Sequence, residues 1–208
     1  MISPRLIAVL VTSPRVRLRS LSRTKIYIPV LMSALVVGIT INWMFSQEYG
    51  LINFIIQSFG GTPLEWSLNS GLATFVIGFA SVWASIGFNM IIYVGGINNI
   101  SPDLYEAASI DGANSFQSFL RITVPMLSPT TFLVVLLSTV NLLKEYALVQ
   151  GITQGGPGLS TTYIFQYIFH DGFHQMDYGY ASAISAVVMI VFALIAYDQF
   201  NDNNGGET

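Results

Sequence analysis

Sparse charges divide this chain into long uncharged intervals. Ile26 to Gln47 is free of charge, between Lys25 and Glu48. A second interval lies between Glu65 and Asp103, with its most apolar part at Leu72–Val94. Ile122–Leu143 is a third and Tyr178–Tyr197 a fourth. A helix needs roughly 20 apolar residues to cross the hydrocarbon core of a bilayer. Backbone in lipid must satisfy its own hydrogen bonds, so these runs read as helices rather than strands. The pattern predicts an all-α, polytopic membrane helix bundle with about four full spanning helices. Four buried helices of a large soluble core would need polar sequence to wrap them, and the chain supplies little. The shorter run Leu6–Val11 cannot span, and it leads into the basic stretch TSPRVRLRSLSRTK rather than a small-residue cleavage site. It reads as the end of a helix whose beginning lies upstream, or as an unusual chain start.

Composition supports the membrane reading and removes others. Only 9% of the 208 residues are charged, against about 25% in an ordinary soluble domain. The mean hydropathy is +0.60. A soluble enzyme, a nucleic-acid binder and a disordered segment are excluded on that ground. A net charge of −3 argues for no polyanionic partner, and the absence of cysteine removes disulfides and thiolate sites. Five of the eight basic residues fall in one short loop: Arg15, Arg17, Arg19, Arg23 and Lys25. Such loops stay on the cytoplasmic side. Ile26–Gln47 then runs outward, Glu48–Leu68 is external, Gly95–Arg121 is cytoplasmic and Val149–Gly179 is external. The C-terminus returns inside, where Asp198, Asp202 and Glu207 lie without basic company. Residues 1–25 are thus a cytoplasmic basic segment with a short apolar stub, 26–200 the transmembrane domain and 201–208 a polar tail. Tyr49 and Trp66 are expected as headgroup-level anchors around a short amphipathic segment.

The cytoplasmic loop, about residues 97–127, is the most informative part. Its stretch SPDLYEAASIDGANSFQSFLRITVPMLSP reads as a helix–turn–helix. Ser101 is a good N-cap, Pro102 suits the first helical position and Asp103 favours the helix dipole. Gly112 fits the left-handed position that ends a helix, and a second helix starts near Asn114 or Ser115. Ala107 and Ala108 leave one face without bulk, so another protein could approach the backbone. Glu106 and Asp111 flank that face and could pair with basic groups. Pro125 and Pro129 bracket the entry into the next span.

These residues carry a family resemblance. Glu106-Ala107-Ala108, Gly112, Ile122 and Pro125 match the cytoplasmic signature of ABC importer permeases. Asp111, Ala113, Phe119 and Pro129 complete EAAxxDGAxxxxxFxxIxxPxxxP, which resembles the branch importing sugars, glycerol phosphates and related solutes. RSLSRTKIYIPV, WMFSQEYGLIN, TQGGPG, STTYIFQYIF and YGYASA are similar to segments of that branch, so the resemblance covers roughly Ala8 to Phe200. It implies a permease subunit, not an enzyme, in the plasma membrane. The implied partners are a cytoplasmic ABC ATPase dimer, a second permease subunit, an extracytoplasmic solute-binding protein, membrane lipid and a sugar-like solute; nucleic acid is not among them. ATP would be bound by the partner subunits and no cofactor by this chain, whose only lysines, Lys25 and Lys144, lie outside any glycine-rich phosphate loop. Glu106, Ala107, Ala108, Asp111 and Gly112 become the ATPase-coupling residues. Two departures stand out. Members usually begin with one or two further spanning helices and end in basic residues, whereas this chain ends in DQFNDNNGGET. A truncated, non-transporting remnant is therefore the alternative reading. An ATP-independent transporter would leave the EAA loop unexplained.

Polar residues inside apolar spans tend to face the bundle interior or a cavity. Asn42, Trp83, Asn89, Asn141, Lys144 and Glu145 are the candidates for the solute pathway. Bonding between helices is the commoner role for such residues. A Lys near an outer interface commonly snorkels to water. His170 and His174 are spaced to share a metal on a helix, but Gly172 lies between them and no suitably placed Glu accompanies them. An external contact loop is the reading there, and no metal site is assigned.

Overall fold

The structure is a computed structural model and describes residues 27–204. The basic loop, the Leu6–Val11 run and the last four residues lie outside the described residues. All regular elements among the described residues are helical. The chain divides into two compact units: one holds residues 85–138 with 27–30, the other 31–84 and 139–204.

In the second unit, α1 (Ala34–Met44) and α2 (Leu51–Ser58) are followed by the first half of α3 (Ser70–Asn98). The first expected span is interrupted. Residues 27–31 are helical, the chain bends at Met32, and α1 begins anew after Ser33. Ser33 holds the extended conformation of an N-cap, with φ −60° and ψ 137°, although its side chain makes no capping bond. α1 packs on α7 (Ala147–Ile152), burying Val37, Ile41, Leu148, Val149 and Ile152 with Phe45, Val76 and Ile77. Glycine is required at this crossing. A Cβ on Gly38 would lie 2.6 Å from the Leu148 carbonyl oxygen and 2.9 Å from the Gly151 Cα. The Asn42 side-chain amide donates to the Ile152 carbonyl across the same pair.

Trp66 is not a headgroup anchor. It is 8% exposed, stands edge-on to Phe45 at 5.0 Å and donates its indole N–H to Asn53 at 2.9 Å. Asn53 fixes the whole segment. Its oxygen also accepts from the Leu64 N–H, and its amide donates to the Gln47 and Leu64 carbonyls. A buried indole N–H needs a partner, and Asn53 supplies it, which draws the ring into the core. Tyr49, by contrast, is exposed.

α8 (Ile164–Phe169) continues through a π-helical turn, His170–His174, before α9 (Tyr178–Asn204). α9 is apolar and long enough to span a membrane over Tyr178–Asn201. Its large side chains, including Val187, Ile190 and Leu194, face outward. Outward-facing apolar residues along a full helix suit lipid or a partner helix.

The first unit contains the end of α3, α4 (Pro102–Ile110), α5 (Ser115–Ser118) and the start of α6 (Ser128–Leu143). α3, at 29 residues, is the second helix of spanning length. The third expected span, Ile122–Leu143, is bent. Ser115–Met126 and Ser128–Leu143 meet at 62°. Pro125 and Pro129 flank the bend at Leu127 and remove backbone donors from consecutive turns. The two long apolar helices and this bent pair give two or three spans by length and composition.

Candidate functional site

The EAA segment folds as a helix, a tight turn and a second helix. The Ser101 hydroxyl accepts from the Asp103 N–H at 3.3 Å, and Pro102 occupies the first turn. Asp111 caps α4, and Gly112 comes next at φ +78°, a left-handed conformation that glycine adopts without strain. The Ala113 N–H then bonds back to the Ala108 carbonyl at 2.9 Å. Asn114 starts α5 with a capping box. Its side chain accepts from the Phe116 and Gln117 N–H groups, and the Gln117 side chain accepts from the Asn114 N–H.

α4 is thereby presented rather than buried. None of its residues is buried. Glu106, Ala107, Asp111 and Gly112 are exposed and Ala108 half-exposed, so the five predicted coupling residues share one short stretch of surface. Exposed apolar residues adjoin them: Ile110 is 87% exposed and Phe116 69%. Over residues 97–127 there are three acidic residues, Asp103, Glu106 and Asp111, and one basic, Arg121. An acidic helix with an alanine face and apolar neighbours offers a basic, concave partner both charge and close backbone approach.

Two residues escaped the sequence reading. The Tyr105 hydroxyl lies 2.9 Å from the Thr123 hydroxyl. Thr123 is buried at the end of a π-helical turn, Phe119–Thr123. Tyr105 immediately precedes the EAA motif, next to Glu106, and a half-apolar ring with a polar tip was the available signal.

The pathway candidates divide between the units. Asn89 lies in the first, buried, with its amide 3.4 Å from the Ser138 hydroxyl. Asn42, Trp83, Asn141, Lys144 and Glu145 belong to the second. Asn42 is committed to the α1–α7 contact described above. Trp83 is 40% exposed, and Asn141 and Lys144 are exposed. Glu145, just past the end of α6, is half-buried. Its carboxylate accepts from the Leu148 N–H at 3.4 Å. Burial raises its pKa above the ordinary carboxylate range, and that backbone bond offsets part of the shift. The same burial, joined by the Glu145 charge, raises the Tyr163 phenol. Beyond them, the Gln166 amide donates to the Gln150 side-chain oxygen at 3.0 Å.

His170 and His174 are paired but form no metal cluster with a third ligand among the described residues. Their rings stack at 5.6 Å, and buried Asp171 accepts from the Gln175 amide at 3.2 Å.

The resemblance read from the EAA motif extends over the whole domain. A family model described as binding-protein-dependent transport system inner membrane component matches residues 5–203. The arabinooligosaccharides transport system permease protein AraP of Bacillus subtilis (strain 168) is 32% identical over 198 residues, covering 93% of this chain and 62% of its own. The trehalose/maltose transport system permease protein MalF of Thermococcus litoralis is 34% identical, covering 88% of this chain and 61% of its own. This chain therefore spans about three-fifths of the length of these relatives. A crystal structure of a bacterial ABC transporter involved in the import of the acidic polysaccharide alginate shares the fold. Its TM-score is 0.88 at 23% identity, covering 97% of this chain and 71% of that one. With its apolar spanning helices, the chain is a multi-pass protein of the plasma membrane. It belongs to the family of binding-protein-dependent transport system inner membrane components.

Proposed function

We propose that this chain is a membrane-spanning permease subunit of an ATP-driven ABC importer for a sugar or related small solute. The carrying observation is α4 with its Gly112 turn: the EAA residues are folded, capped and turned to the surface, while nothing on that helix is buried. The transmembrane domain, 26–200, would cross the bilayer four times, counting the bent 27–44 and 115–143 segments as one span each. The loop 97–127 then lies on the cytoplasmic side, as the basic loop before it requires.

In this reading Glu106, Ala107, Ala108, Asp111 and Gly112 form the contact with one subunit of a cytoplasmic ATPase dimer. A second permease subunit completes the pathway, and an extracytoplasmic solute-binding protein delivers the solute. Nucleotide can switch the spans only through contacts that differ between two states, and α4 is the exposed element placed to make them. The names of relatives, which concern oligosaccharides and disaccharides, support a carbohydrate. Asn42 and Asn89 act as helix links, as their hydrogen bonds favour, which leaves Trp83, Asn141, Lys144 and Glu145 for the solute side.

The test is affinity purification of the tagged chain from native membranes, followed by ATP-dependent uptake of a labelled disaccharide in vesicles. The expected result is a co-purified ATPase and uptake in the wild type, and loss of both in Glu106→Lys and Gly112→Val. Normal ATPase recovery and uptake in both variants overturns the assignment.

A further inference from the structure

α4 must do more than dock, because a movement imposed on it has to reach a spanning helix. Two kinds of route leave it. One is the chain itself, back over residues 99–101 to the end of α3 and forward through the Gly112 turn and the single turn of α5. The forward route contains a left-handed glycine and four helical residues, and it reaches the base of α6 only by way of them. The other is the contact between the Tyr105 and Thr123 hydroxyls at 2.9 Å. Among the described residues it is the one side-chain hydrogen bond that leaves α4. The Tyr105 ring also packs on the buried cluster built around Met90, Tyr93 and Leu127.

The Thr123 side is built for this contact. Thr123 is 5% exposed and ends the π-helical turn. One extra residue in a turn rotates the succeeding residues by roughly 100° relative to a regular α-helix, so the π-turn sets which way Thr123 points. Four residues later comes the 62° bend at the base of α6. Beside it the end of α3 is close-packed: a Cβ on Gly96 would lie 2.5 Å from the Thr130 hydroxyl and 2.9 Å from the Leu127 side chain. A pull on Thr123 therefore acts directly on a close-packed joint next to a bend, whereas a pull through the Gly112 turn reaches it only along the backbone.

We propose that the Tyr105–Thr123 hydrogen bond is the joint that makes α4 and the base of α6 move as one body, so that Tyr105 is a positioning residue for coupling. The proposal rests on the reading of α4 as the ATPase contact. Neither hydroxyl touches ATPase or solute; the bond fixes the distance between the docked helix and the span.

The chain has no cysteine, so two introduced ones report alone. Nitroxides at Ile110→Cys and Ser128→Cys, both exposed positions, measure the distance between α4 and the base of α6. The measurement uses the intact complex with cysteine-free partners, with and without magnesium-ATP. With the joint intact the distance distribution is narrow and stays so when ATP is added. Tyr105→Phe removes one hydroxyl alone, and Thr123→Val removes its partner at constant shape. One ordinary hydrogen bond is worth about a fivefold shift in a two-state equilibrium, so either variant raises the detached population about fivefold on ATP. The double variant is no worse than either single, as expected for one shared interaction. Thr123→Ser retains the hydroxyl and restores the narrow distribution, which a purely steric role would not predict. Unchanged distributions in Tyr105→Phe and Thr123→Val, in complexes that retain the ATPase, overturn the joint and leave the docking reading standing. A wild-type chain that recovers no ATPase overturns both.

Discussion

The α1–α7 crossing and the α4 loop are held in opposite ways. At the crossing, two backbones touch through Gly38 and Gly151, Asn42 ties the pair, and the flanking side chains are buried. In the loop, no residue of α4 is buried and one side-chain hydrogen bond leaves it. The crossing is close-packed and has no room to move. The loop is kept in shape by local devices: a cap at each helix start and a positive φ at Gly112. An element that has to dock and be displaced gains from local rigidity with light attachment. An element that anchors a bundle gains from interlock.

Substitutions separate the two designs. The largest effect is expected for Gly38→Val or Gly151→Val, where the new side chain meets backbone that cannot yield. Thermal unfolding in detergent, followed by tryptophan fluorescence, should show a loss of about 3 kcal/mol. Asn53→Ala comes next. It strands the Trp66 and Leu64 N–H groups and should cost about 2 kcal/mol, with limited proteolysis opening the 47–66 segment first. Gly112→Val meets open space, since no atom lies within 4 Å of an added Cβ. Its cost is the left-handed backbone, about 1 to 2 kcal/mol, and it should abolish ATPase recovery while the bundle stays folded. Glu106→Lys is the smallest in stability, within about 0.5 kcal/mol, yet it should also abolish ATPase recovery. A large melting shift in Glu106→Lys would blur the comparison by showing that α4 supports the fold.

Much of the loop was legible in the sequence because its devices are local. Ser101, Pro102, Gly112 and Asn114 act within a few residues of themselves, and each took the position its chemistry favours. α3 and α9 were legible from uncharged length alone. The break at Ser33 and the 62° bend at Leu127 were not, because an uncharged interval reports apolarity and says nothing of direction. Pro125 and Pro129 marked the second bend, while the break at Ser33 had only a serine to announce it. Trp66 was misplaced for a related reason. An indole reads as an interface anchor until its long-range partner, Asn53, is known. Tyr105–Thr123 and Gly38–Gly151 join residues distant in sequence, and no period or cap encodes such pairs.

If the Ala107 face of α4 is an ATPase contact, a photoreactive amino acid in place of Ala107, activated in native membranes, should capture the ATPase. One dominant crosslinked product containing a cytoplasmic ATP-binding subunit is expected, and it is lost when Glu106→Lys is added. Crosslinking to lipid or to the chain itself, with no ATP-binding subunit recovered, would contradict the contact.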